Sequence, residues 1–219
     1  FWLKPRWRES PAGRCCAGVW APRPRGCAAM PGTNCQKAIQ TWSEKNEGAN
    51  AAEAKVVKLM CLSPPIEKLD SSLNQLEAVE HLSLSTNCID KMIPLPALKN
   101  LTILSLGRNQ IKKITGLEEV GPTLKELWIS YNGISSCDGL TPCIKLTTLF
   151  MSNNQIKDWG ELAKLQANPE LVNLLLVGNP IYDGLSKKQA RPKVLEHVPK
   201  IGTLDGELLT GEDDGDEEE

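Results

Sequence analysis

The chain has 219 residues, 41% of them hydrophobic, with 25 basic and 27 acidic side chains; leucine carries the apolar content, because only two Phe and two Tyr accompany six Trp. That length holds one sizeable domain or two small ones. Net charge is −2, but residues 1–30 carry six Arg/Lys against one Glu, residues 212–219 ("EDDGDEEE") carry seven acids, and the stretch between is balanced, so the body lacks the basic surface that general nucleic-acid binding needs.

From the N-terminus, residues 1–29 are Arg-rich and acid-poor like a presequence, but Pro5, Pro11, Pro22 and Pro24 spoil an amphipathic helix. Met30 is read as the functional start, and 1–33 as an N-terminal extension without fixed structure. Residues 34–62 are expected to form a helical cap. "TNCQKAIQTW" opens with Thr33 and Gln36 as a capping box, and "NAAEAKVVKLM" repeats the pattern with Asn50 and Glu53. Two helices, about 34–46 and 51–61, should turn Ile39, Trp42, Val56, Val57 and Leu59 toward the first repeat coil.

Residues 63–182 are organised by a repeat. Five segments fit LxxLxLxxNxI: "VEHLSLSTNCI", "LTILSLGRNQI", "LKELWISYNGI", "LTTLFMSNNQI" and "LVNLLLVGNPI". Their asparagines, Asn87, Asn109, Asn132, Asn154 and Asn179, are spaced by 22, 23, 22 and 25 residues, which is the short type of leucine-rich repeat. The fold class is therefore α/β: a solenoid of about six coils with a short parallel sheet, the incomplete coil being "PPIEKLDSSLNQL" (64–76). The LxL pair of each coil points inward from a strand, and the Asn amide satisfies loop backbone in its own and a neighbouring coil. Apolar positions then continue at three-residue spacing, as in Ile111, Ile114, Leu117 and Val120, which suits 3₁₀ or short helical turns on the convex side. Gly121-Pro122 and Ala167-Asn168-Pro169 lengthen two coils and are expected to be surface bulges.

A solenoid needs closed ends. Residues 183–209 read as the C-terminal cap, with a helix over about 187–197 and an extended closing segment in which Val194, Leu195, Val198, Ile201 and Leu204 seal the last coil. The cap also gathers Lys187, Lys188, Arg191, Lys193 and Lys200, either an ordinary solvated helix face or a dock for an acidic protein surface. The acidic tail, 210–219, cannot bury enough apolar surface to fold alone.

Strand alternation assigns Trp128 to the face opposite the core pair Leu127 and Ile129. By the same alternation Ile103, Phe150, Leu175 and Val177 lie on that outer face, where Trp128, Phe150 and Leu175 stack into an apolar ridge fit for a protein partner. No enzymatic constellation emerges. His81 and His197 have no positioned nucleophile, His81 reads as a solvent-facing strand residue, and no phosphate-binding glycine loop or cofactor motif exists. The eight cysteines show no CxxC pair, which fits free thiols in a reducing cytosol, and no apolar run reaches the roughly 18 residues of a membrane span.

The strings "LSLSTNCIDK", "LTILSLGRNQIKKITGLEEVG", "TLKELWISYNGI", "LFMSNNQIKDWGEL", "VGNPIYD" and "VPKIGTLDG" resemble one family over about 35–207: the leucine-rich-repeat light chain 1 of ciliary outer-arm axonemal dynein. The resemblance implies a non-catalytic subunit without cofactors in the cytoskeleton of the cilium or flagellum. It would bind the motor part of an outer-arm dynein heavy chain near the microtubule-binding stalk tip, contact tubulin, and regulate beating. By carry-over, Ile103, Trp128, Phe150, Leu175 and Val177 would receive the heavy chain, and Lys187, Lys188, Arg191, Lys193 and Lys200 would face tubulin. This chain departs from the family at Glu196-His197, where a basic pair is usual, and at Pro192, which is expected to shorten the cap helix. Two alternatives share the repeat: a phosphatase-regulating protein and an acidic nuclear scaffold.

Overall fold

A computed structural model describes residues 32–209; the expectations for 1–29 and for the tail 210–219 lie outside the described residues. Seven parallel strands and one closing antiparallel strand form a single sheet in chain order. They are β1 (Val56–Lys58), β2 (His81–Ser83), β3 (Ile103–Ser105), β4 (Glu126–Trp128), β5 (Thr148–Phe150), β6 (Asn173–Leu175), β7 (Thr203–Leu204) and β8 (Glu207–Leu208). Among the described residues three α-helices accompany them, α1 (Cys35–Lys45), α2 (Gly160–Ala163) and α3 (Lys187–His197), with 3₁₀ turns at Ser71–Gln75, Lys164–Ala167 and Pro180–Tyr182.

Each parallel strand is only about three residues long, and its middle side chain turns inward. Val57, Leu82, Leu104, Leu127, Leu149, Leu174 and Leu204 make one register row under the sheet, and all are buried. The second core position, two residues later, adds Leu59, Leu84, Leu106, Ile129, Met151 and Leu176, equally buried. So short a strand cannot stand alone. It persists because each coil's backbone bonds the next, as in Ile129 N to Phe150 O at 2.7 Å and Met151 N to Leu175 O at 2.9 Å.

The asparagine after each strand ties three backbone groups together. Asn132 Oδ1 accepts from Ile111 N at 3.0 Å, while Nδ2 donates to Leu106 O and Ile129 O, both at 3.0 Å. Asn87, Asn109, Asn154 and Asn179 repeat this pattern, accepting from the amides of Ile66, Ile89, Ile134 and Ile156. The residue just before each ladder asparagine is left-handed: Thr86, Arg108, Tyr131 and Asn153 have φ between 52 and 58°, and Gly178 has 81°. Only the last coil places there the residue that adopts this conformation without steric cost.

Several expectations are corrected. The segment 51–61 is not a helix: Asn50 makes an Asx turn, accepting from Ala52 N at 3.1 Å, and the chain then enters β1. Its Val56-Val57 pair is β-branched, and Lys55 O receives Glu80 N and His81 N from the next coil, so strand pairing outweighs a local capping signal. Val56 therefore points away from the core and is 46% exposed. The cap of α1 is Asn34 rather than Thr33; its side chain accepts from Lys37 N, whereas Thr33 bridges to Ile66. Asp70 joins α1 to the first coil by accepting from both Cys35 N and Ser72 N.

Neither lengthened coil bulges wholly outward. Asn168 is buried, and its amide donates to Leu140 O and Cys143 O, both at 2.9 Å. Gly121 lies so close to the backbone of Pro142 that a Cβ would approach within 2.7 Å. Pro192 does not shorten α3, which runs all eleven residues through it. The amide hydrogen bond it forgoes lies on an exposed side of the helix, where water can take the freed carbonyl.

At the C-terminal end, directly after β7, a carboxylate accepts the amides just past β6 in place of carbonyls from a full further coil. Asp205 Oδ1 accepts from Leu176 N at 2.7 Å and Val177 N at 2.8 Å, and Oδ2 accepts from Tyr182 OH at 2.6 Å. Burial, aided by this bond to Asp205, pushes the Tyr182 hydroxyl pKa upward. Among the described residues no helix is long and apolar enough to cross a membrane. Asn132→Ala should destabilise the fold by about 1–3 kcal/mol through the unpaired Ile111 N–H alone, measured by equilibrium denaturation.

Candidate functional site

The outer face of the sheet is built from the residues that alternate with the core rows. One register row holds Lys58, Ser83, Ser105, Trp128, Phe150 and Leu175. The parallel row two residues earlier holds Val56, His81, Ile103, Glu126, Thr148 and Asn173. The structure thus puts Trp128, Phe150 and Leu175 on three successive strands, with Ile103 one row away and Val177 two residues beyond Leu175. All five are half-buried, so the ridge is less open than alternation alone suggests.

The reason is the direction of the indole. Trp128 and Phe150 stack with centroids 6.0 Å apart at 26° between planes, and His81 meets Trp128 edge-on at 6.0 Å. His81 belongs to β2 and Trp128 to β4, about 9.6 Å apart at the usual strand spacing. The indole must therefore lie across β3, above Ser83 and Ser105, whose small side chains leave room and are only 5% exposed each. Trp128 Nε1 donates to Glu126 Oε2 at 3.0 Å, which fixes the ring in this orientation.

His81 is accordingly not a freely solvated strand residue. It is half-buried, and its buried Nε2 has no hydrogen-bond partner among the described residues. Burial, with help from Lys58, lowers its pKa below the ordinary 6.5, opposed by Glu126. A second feature that alternation did not single out lies at the rim: Arg108 sits 4.8 Å above the ring of Tyr131, which is 49% exposed. Both stand in the left-handed positions before ladder asparagines, so their prominence was written into the sequence only as the residue ahead of Asn.

The basic cluster of the C-terminal cap is partly engaged in the protein itself. Lys187 pairs with Glu207 at 3.4 Å, Lys193 stands 5.6 Å over the Trp159 ring, and Arg191 is half-buried. Lys188 and Lys200 are exposed. Among the described residues no group of three or more His, Cys, Asp or Glu is placed to hold a metal ion. Cys35, Cys137 and Cys143 are buried thiols pushed up by desolvation to about 11, 12 and 12 respectively, which makes them poor nucleophiles.

Stacked short strands, an asparagine ladder and an aromatic outer face define a leucine-rich-repeat protein. The family model for leucine-rich repeats (two copies) matches residues 122–164. Among solved structures the fold is similar to that in the Drosophila melanogaster SNF/U2A′ complex, with a TM-score of 0.55 at 22% identity over 66% of this chain and 87% of that one. Sequence relatives are far nearer. "Dynein axonemal light chain 1" of Ciona intestinalis is 50% identical over 188 residues, covering 85% of this chain and 98% of the relative. The Homo sapiens protein of that name is 50% identical over 188 residues, covering 85% and 97%, and the Chlamydomonas reinhardtii one is 46% identical over 178 residues, covering 80% and 89%. The chain belongs to the axonemal dynein light chain 1 family.

His81 supplies a pH signature of the face. Because its folded pKa lies below 6.5, the unfolded chain binds the proton more tightly. Its contribution to stability is thus complete above that value and is lost as pH falls through the folded pKa. Denaturation on either side of pH 6.5 should show His81→Gln abolishing this part of the acid-side loss.

Proposed function

We propose that this protein is a non-catalytic light chain of ciliary outer-arm dynein that docks on the heavy-chain motor near its microtubule-binding stalk tip through the outer face of the sheet. The observation that carries the reading is the row Trp128, Phe150 and Leu175 on three successive strands, in a chain about half identical to axonemal dynein light chains over nearly their whole length. Ile103 and Val177 extend the contact on either side.

The stacked pair Trp128 and Phe150 is the energetic centre. A fully buried indole removes roughly 150–250 Å² from water, a gross gain of about 4–6 kcal/mol at about 25 cal/mol per Å², and part of this surface is already covered in the free protein. What remains suits an anchor of a moderate-sized interface. The second contact is tubulin, reached by the cap residues Lys187, Lys188, Arg191, Lys193 and Lys200, since microtubule surfaces are acidic and these side chains lie on and just beyond α3. Holding the light chain between stalk tip and microtubule places it where it can regulate beating in the axoneme. The chemistry is binding throughout, with no cofactor, nucleic acid or membrane involved.

Trp128→Ala and Phe150→Ala should each abolish capture of an outer-arm heavy chain while leaving the unfolding transition cooperative; undiminished capture overturns the docking face. Lys188→Glu with Lys200→Glu should weaken co-sedimentation of the light chain with microtubules and leave heavy-chain capture intact.

A further inference from the structure

The outer face is apolar and hydroxyl-bearing over most of its area, with a carboxylate near its centre. In the row of Val56, His81, Ile103, Glu126, Thr148 and Asn173, Glu126 is flanked by Ile103 on β3 and Thr148 on β5. One oxygen, Oε2, accepts from the Trp128 indole. Among the described residues the other accepts no hydrogen bond, and no salt bridge reaches Glu126. In the same row His81, two strands away, feels the Glu126 charge; of the permanent cations on or beside the face, Lys58 stands on β1, three strands away, and Arg108 lies over the Tyr131 ring at the rim.

Covering the Trp128–Phe150 stack necessarily covers Glu126 as well, because the carboxylate is bonded to the indole. Stripping water from an ionised carboxylate without a replacement partner costs several kcal/mol, enough to cancel the apolar gain of the anchor itself. The occupant must therefore return a positive donor to the free oxygen.

We infer that the heavy-chain segment that occupies this face brings an arginine or lysine to Glu126, beside apolar anchors seated on Trp128, Phe150 and Leu175. This inference rests on the docking reading above and adds the charge that the partner must carry. Glu126 is then a specificity residue: an apolar segment of the right shape without the cation leaves the carboxylate buried and without a charged partner, and is rejected.

The test measures binding of the full-length chain to a recombinant stalk-tip portion of an outer-arm dynein heavy chain, at several salt concentrations, for Glu126→Gln, Glu126→Lys and Phe150→Ala. Glu126→Gln keeps an acceptor oxygen for the indole, so an unmoved Trp128 Nε1–H resonance verifies that the ring has stayed in place. The expected result is binding weakened about tenfold by Glu126→Gln, with a shallower salt dependence. Glu126→Lys should weaken it further and be rescued by an acidic replacement of the facing basic residue. If Phe150→Ala weakens binding but Glu126→Gln changes neither affinity nor salt dependence, the cation is overturned and the docking face stands. If Phe150→Ala has no effect, the docking face falls and the cation with it.

Discussion

Every coil of this protein depends on one amide. The strands are too short to hold themselves, and the turns after them pull backbone N–H and C=O groups into the interior, where water cannot reach. A single asparagine per coil answers both problems: its oxygen takes the amide two residues past the ladder position of the preceding coil, and its nitrogen serves a carbonyl in each of two coils, as Asn179 does with Met151 O at 2.9 Å and Leu176 O at 2.7 Å. Only a side chain with two donors and an acceptor on one planar head can do this. The leucine rows fill the space, but the ladder sets the register in which they stack.

The ends of the solenoid obey the same constraint. Where the repeats begin, Leu59 O is still served by Asn87 at 2.8 Å, and α1 covers the apolar end with Cys35, Ala38 and Ile39. Where they stop, the last repeat has two amides just past β6, at Leu176 and Val177, with no full coil beyond to accept them, and the Asp205 carboxylate takes both. Asp205 can adopt its left-handed turn there, at φ 52°, as short polar residues do. An asparagine at this place could still accept both amides on its one oxygen, but it would turn an N–H toward the Tyr182 hydroxyl that now donates to Oδ2.

Regularity inside leaves the outer face free to vary. Ser83 and Ser105 keep two strands low, Trp128 lies over them to reach His81, and Phe150 and Leu175 continue the apolar row beyond it. On the docking we propose, this row is the part of an axonemal dynein light chain that meets the motor. The carboxylate oxygen left free at Glu126 limits which partner can cover the row without loss.

The five repeats, their ladder asparagines, the inward LxL pairs and the helix at 187–197 were legible in the sequence, because each rests on short-range periodicity that repetition makes redundant. Strand β1 was not: Asn50 and Glu53 make an equally good local case for a helix, and β1 exists only because β2 lies beside it to share hydrogen bonds. Gly121 and Asn168 were read as surface punctuation for the same reason, since a local signal cannot tell which neighbouring coil will fold over it. Alternation placed Trp128, Phe150 and Leu175 on one face, yet the lie of the indole across β3 and its contact with His81 join coils that no periodicity links, and the bond to Glu126 depends on that lie. The sequence by itself determined the repeat, its core and the composition of its open face, because those depend on spacing along one chain. The tertiary structure alone decided how far that face is buried and which charge it leaves unanswered, because both depend on what stacked coils place side by side.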